Sequence, residues 1–275
     1  MHLTAQVVRL PQTGGGSPST GEQRISEVLD LIAPFFERLN DTTGLNFTPF
    51  YDPHDWSRLI FGMWISIKLT VAIVAVSLVI GVLGAAAQSS RSKFLRFIVA
   101  AYIEVFRNTP PIVQLLFFYF GLGAITPQID MGGWYEPVIG SFGWAVIAIG
   151  VFGGSYNVEI FRSGIDAVPG TTKEAAESLG FSSYKIFVYI TLPLGFRFCL
   201  PALTNNIVSL AKTSSLAYVI AVPEVTYSLS SIWSDSLNVS EMMILLFLFY
   251  IALVAVIAHA MGILERKLAL RGYGQ

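Results

Sequence analysis

Five long apolar runs decide what this chain can become. Residues 59–87, 97–123, 142–161, 198–222 and 242–264 are dominated by aliphatic and aromatic side chains, with at most two charges in any run. A helix needs about 20 largely apolar residues to cross the hydrocarbon core of a bilayer. The expected fold is therefore all-α and integral to a membrane, with five transmembrane helices. Composition agrees. Of 275 residues, 53% are hydrophobic and only 13% charged, far from the balance of a soluble domain. The net charge of −1 gives no basic field for nucleic acid. The lone Cys199 cannot form an internal disulfide and reads as a small buried hydrophobe. His2, His54 and His259 stand far apart without ligand spacing, so no metal site is expected.

Basic residues set the expected orientation. The first connection carries Arg91, Lys93 and Arg96, the third Arg162, Lys173, Lys185 and Arg197, and the tail Arg266, Lys267 and Arg271. The second and fourth connections carry Asp130, Glu136, Glu224, Asp235 and Glu241 and no base. The segregation predicts cytoplasmic first and third connections, a cytoplasmic C-terminus and an N-terminus outside.

Residues 1–57 differ from the rest and read as an extracytoplasmic extension ahead of a transmembrane domain at 58–275. The stretch "PQTGGGSPSTGEQ" has linker composition. In the following "RISEVLDLIAPFFERLN", Ile25, Val28, Leu29, Ile32, Phe35, Phe36 and Leu39 fall on roughly one helical stripe, and Pro34 weakens that helix. The stripe suits either an amphipathic segment on the outer membrane boundary or a short helix packed on the protein's own outer surface.

One polar stretch interrupts the apolar half. In "TTKEAAESLGFSSYKIFVYITLP", residues 171–193, Pro169-Gly170 breaks what precedes. Thr171 and Glu174 have capping-box spacing, so Thr171 is the expected N-cap. Gly180 suits a left-handed C-terminal cap, and Ser182 or Ser183 opens a second helix that Pro193 is expected to end near Thr191. Ala175 and Ala176 leave room for another surface to approach.

Glu174, Ala175, Ala176, then three residues, Gly180, nine residues, Ile190, one residue, Leu192 and Pro193 is a spacing that resembles the EAA loop of permease subunits of bacterial ABC importers. "VFRNTPPIVQLLFFYFGLG", "SYNVEIFRSGI" and "SLAKTSSLAYVIAVPEV" resemble the branch that takes up polar amino acids, and the likeness runs from about Trp56 to Arg271. The first 55 residues depart from the short N-terminus common there. The resemblance implies a type I importer permease fold in the bacterial inner membrane, with the short helix as a cytoplasmic coupling helix. It implies as partners separate ATP-binding cassette ATPase subunits, a second permease chain (identical or homologous) and an extracytoplasmic solute-binding protein. ATP and Mg would then bind on the ATPase. The chain itself has no phosphate loop, and the dipeptide Gly-Lys is absent, so no enzymatic activity and no cofactor of its own are expected. An ATP-independent secondary transporter or channel subunit would explain the spans but not the EAA spacing, and no inverted repeat is apparent.

Polar residues inside spans are costly and face a cavity or a partner. Ser155, Glu159, Arg162 and Asp166 share one face of the third span. Asn205, Ser209 and Lys212 or Thr213 share one face of the fourth, and Arg107 or Asn108, Pro111 and Gln114 do so in the second. These stripes give the candidate substrate pathway: Asn108, Gln114, Ser155, Glu159, Ser209, Lys212, Thr213, Ser214 and Ser215, with "KTSS" as the preferred contact. Each has a structural alternative. Glu104 with Arg107 and Glu159 with Arg162 can pair to hold helices together, and the Ser and Thr hydroxyls can bond between helices.

Overall fold

The computed structural model of the chain describes residues 20–268. These fall in two units divided between Trp56 and Ser57. In the first, α1 (Thr20–Thr43) carries Pro34 internally. The last four residues of the predicted linker, 20–23, belong to this helix, and the rest of that linker lies outside the described residues. Phe36 stacks on Phe50 at 4.4 Å between ring centroids, and Phe47 meets the Phe36 ring edge-on at 5.9 Å. The predicted stripe is not buried as one face. Leu29 is buried, whereas Phe35 is 65% exposed.

The second unit is a helical bundle. α2 (Pro53–Gln88), α5 (Ser141–Asp166) and α10 (Val239–Leu268) are uninterrupted and long enough to cross a bilayer. The predicted second span is not one helix. It breaks after α3 (Lys93–Arg107) and resumes at α4 (Pro111–Leu116) with a bend of 109°. Pro110 and Pro111 have no amide hydrogen, so the carbonyls one turn earlier lose their helical donors. Gln114 supplies a substitute: its Nε2 donates to the Phe106 carbonyl at 2.9 Å and to the Thr109 carbonyl at 3.1 Å. A π turn (Phe117–Leu122) follows α4. A two-stranded hairpin, β1 (Gln128–Asp130) with β2 (Tyr135–Pro137), completes the connection to α5.

After α6 (Gly170–Ser178) the chain departs from expectation again. α7 (Ser183–Ile186) passes through a π turn (Phe187–Thr191) into α8 (Leu192–Thr213), which ends in a 3-10 turn (Ser214–Ile220). Pro193 therefore does not end the helix, and the fourth span begins well before residue 198. The π turn places Pro193 where its missing N–H and its ring are absorbed by a widened turn. The fourth connection also holds a helix, α9 (Val225–Ser236). Leu229 and Ile232 of α9 are buried with Leu59 of α2 and Met242 of α10.

In lipid, helices associate through close packing and polar contacts, because lipid tails are as apolar as leucine. Both devices are present. The α5 and α8 backbones touch where Gly164 meets Gly195: a Cβ on Gly164 would lie 2.5 Å from the Gly195 carbonyl oxygen. Deeper in, Asn206 of α8 donates to Asn157 of α5 at 2.8 Å, and Asn157 donates to Ser77 of α2 at 3.1 Å. Leu69, Ile73, Leu115, Ile149 and Leu210 fill the main core from α2, α4, α5 and α8.

Glu224 is fully buried and caps α9 by accepting from the Tyr227 amide at 3.0 Å. It also accepts from Ser66 of α2 and Tyr250 of α10, each at 3.2 Å. One carboxylate thus joins three helices. Glu224→Leu is expected to lower stability by about 3 kcal/mol, since it removes a cap and several buried hydrogen bonds, and Glu224→Gln by much less. Thermal unfolding in lipid nanodiscs distinguishes them; equal melting temperatures would contradict this role.

Candidate functional site

Among the described residues, the loop at 171–193 and a polar cleft between α3 and α5 are candidate sites. The loop's short helix α6 starts two residues earlier than expected, with Pro169 rather than Thr171 at the N-cap (φ −55°) and no side-chain cap. Thr171 therefore lies inside the first turn rather than at the N-cap. Proline fixes the entry geometry without needing a hydroxyl. The other end follows the sequence: Gly180 has φ +81°. Its amide donates to the Glu177 carbonyl at 2.9 Å, and the Phe181 amide to the Ala176 carbonyl at 3.2 Å. These two bonds make a Schellman cap, which needs the left-handed residue. Glu174 and Ala175 are exposed, but Ala176 is buried, so one alanine rather than both faces outward. Around the cap, Leu179 is 78% and Tyr184 75% exposed, with Phe181 and Phe187 also open. Ile190 is half-buried, and Leu192 and Pro193 lie exposed along the continuous α7–α8 helix.

In the cleft, Arg107 at the end of α3 pairs with Glu159 of α5. Among the described residues this inter-helix pair replaces the expected intrahelical ones. The Arg107 guanidinium also lies 4.9 Å from the centroid of the Tyr156 ring, within cation–π range. Glu104 instead accepts from Asn108 Nδ2 at 2.7 Å. Two cavities of about 280 and 290 Å3 flank the pair and share Arg107, Tyr156 and Glu159; Glu104 and Asn108 line the first, Arg162 the second. Both carry exposed charge of each sign on one wall, which suits a ligand that itself bears both.

The structure brings together Asn108 and Glu159 of the predicted pathway. The others are placed differently. Gln114 serves the α3–α4 bend, and Ser155 is buried, donating to the Phe152 carbonyl at 2.6 Å. Ser209 and Lys212 lie on an exposed face of α8. Thr213 donates to the Ser209 carbonyl and Ser215 to the Lys212 carbonyl, at 2.9 and 2.8 Å. Ser214 is buried, bonding the Ala211 carbonyl and standing 3.3 Å from Thr70 of α2. Sequence reasoning missed Tyr156 and the Asn157–Asn206 bridge. Tyr156 stands three residues before Glu159, a same-face spacing that could have revealed it.

Residues 77–270 match the family model described as binding-protein-dependent transport system inner membrane component. The chain is 31% identical to the arginine transport system permease protein ArtQ of Bacillus subtilis (strain 168), covering 75% of this chain and 90% of that protein. It is 30% identical to the glutamine transport system permease protein GlnP of Escherichia coli (strain K12), covering 78% and 97%. Among solved structures, one chain of an amino acid ABC transporter crystallised with histidines superposes with a TM-score of 0.68 and 29% identity, covering 77% of this chain and 94% of that one.

Proposed function

The chain belongs to the family of binding-protein-dependent transport system inner membrane components, and on that premise we propose that it forms half of the translocation pathway of an ATP-driven amino acid importer. The α6 loop carries the reading. It holds Glu174, Ala175 and Gly180 at the spacing of a coupling loop, ends in a cap that fixes its exit, and leaves Leu179, Phe181 and Tyr184 in solvent. An exposed apolar cluster of that kind marks a protein contact. Its partner in this reading is a separate ATP-binding cassette subunit, which binds ATP and Mg and does the hydrolysis. A five-helix chain lines one side of a pathway, so a second permease, identical or homologous, faces it. A solute-binding protein delivers substrate on the opposite side.

The protein is an integral membrane permease subunit. Its placement in a bacterial inner membrane, with loops one and three and the C-terminus cytoplasmic, is proposed from the distribution of Lys and Arg. The cleft supports a pathway for a zwitterion: Arg107 can meet a carboxylate, and Glu104 or Glu159 an ammonium group. The exposed Ser209–Lys212 face of α8 is a further lining candidate, with Thr213 and Ser215 beside it.

Arg107→Gln and Glu159→Gln test the cleft. Each removes one charged partner, and hydrogen bonds to charged groups are worth about 1.5–3 kcal/mol, or roughly 10- to 150-fold in affinity. Amino acid uptake should fall into that range while complex assembly and basal ATP hydrolysis persist. Unchanged uptake would move the pathway to the α8 face. Lost assembly would make the pair a structural clasp.

A further inference from the structure

We propose that an apolar groove bounded by the end of α2, the end of α5 and the α7–α8 helix is a phospholipid site. One acyl chain would lie in the groove, and an anionic headgroup would sit against the bases at its mouth. The groove encloses about 640 Å3, within the range of small-molecule pockets. Val82 and Ala86 of α2, Phe161 of α5, and Phe187, Phe196 and Cys199 line it. The few polar atoms there are already engaged. Ser89 Oγ donates to the Ala85 carbonyl at 3.1 Å, and the Cys199 thiol to the Phe196 carbonyl at 3.1 Å. A hydrophilic ligand would find no partner, whereas an alkyl chain needs none. Val82, Phe187 and Phe196 are 55%, 44% and 41% exposed, so the groove is open along its side to whatever surrounds the bundle.

Charge at one end selects the occupant. At that end the groove's lining reaches Ser89, one residue past α2, and Phe187, one residue past α7. Arg91 and Lys93 follow the first point in sequence, and Lys185 precedes the second; all three are exposed. No acid occurs in residues 88–96 or 181–197; Asp166, the last residue of α5, is the acid at this end of the lining helices. A basic mouth on an apolar groove between membrane helices suits an anionic lipid. A second copy of the chain meeting this face about a two-fold axis would set the same bases against each other. The inference does not depend on the direction of transport or on the substrate.

Native mass spectrometry of the purified full chain tests it, after equilibration with dioleoyl phosphatidylglycerol or dioleoyl phosphatidylcholine. Wild type should retain phosphatidylglycerol preferentially. Ala86→Trp, which fills the groove, should lose retention of both lipids. Arg91→Gln, Lys93→Gln and Lys185→Gln should each reduce the phosphatidylglycerol preference by roughly five-fold, as about 1 kcal/mol per surface base implies. These three changes lie outside the core, so they remain decisive if Ala86→Trp does not fold. Equal retention of both lipids by wild type overturns the proposal, as does an unchanged preference in the three base variants. Inter-chain disulfide formation through Ser89→Cys, with no lipid retained, would show a second copy in the groove and also overturn it.

Discussion

Gly180→Val is expected to abolish amino acid uptake and leave the membrane bundle folded. Gly180 sits at φ +81°, and a Cβ built on it meets nothing within 4 Å. The cost is therefore conformational rather than steric crowding by neighbours. A left-handed L-residue costs about 1–2 kcal/mol, and more for a β-branched one. Relief comes by abandoning the Schellman bonds from Gly180 to Glu177 and from Phe181 to Ala176. That unwinds the end of α6 and re-aims Leu179, Phe181 and Tyr184, the surface assigned to the ATPase. A helix of nine residues has little stability to spare without its cap. Thermal unfolding should shift little while uptake and stimulated ATP hydrolysis vanish. Gly180→Asn, which tolerates the same φ, should retain much of both. Full uptake by the valine variant would remove α6 from the coupling role.

Gly164→Leu should have the opposite signature, with loss of the folded bundle itself. At Gly164 the first atom of any side chain would lie 2.5 Å from the Gly195 carbonyl oxygen and 2.8 Å from Cys199 Cβ. The nearer obstacle is backbone, so α5 and α8 must move apart, and over-packing of a dense core costs about 1–3 kcal/mol or more. The Asn206–Asn157 bond and the Asn206 bond to the Gly153 carbonyl span the same two helices and would be strained with it. Gly262→Leu on α10 is the control, because a Cβ there meets nothing within 4 Å. Monodisperse yield after detergent extraction should collapse for the first variant and not the second.

The helical membrane fold was legible because span length and apolar composition are direct consequences of bilayer thickness. The end of α6 was legible at Gly180, where one residue type answers a backbone need. Prolines were read less well. Pro193 looked like a helix stop, yet a π turn carries the chain through it. Pro110 and Pro111 looked compatible with a continuous span, yet they break it, because two consecutive missing donors cannot be bridged by the backbone alone. Gln114 then became the substitute donor, which spacing on one face could not reveal. Ser155 and Ser214 shared the polarity of a pathway lining, but polarity does not tell whether a hydroxyl faces a cavity or a neighbouring carbonyl. The Arg107–Glu159 pair depends on the placement of two helices, which no local pattern encodes.

ATP-dependent uptake in proteoliposomes is the most direct measurement. The chain would be reconstituted with the proposed second permease (identical or homologous), ATPase and solute-binding protein, and entry of a labelled amino acid followed with and without ATP and Mg. Uptake should require ATP, fail with Gly180→Val, and stay indifferent to proton and sodium gradients. Uptake driven by an ion gradient with the ATPase left out would contradict the importer assignment and make the chain a secondary transporter.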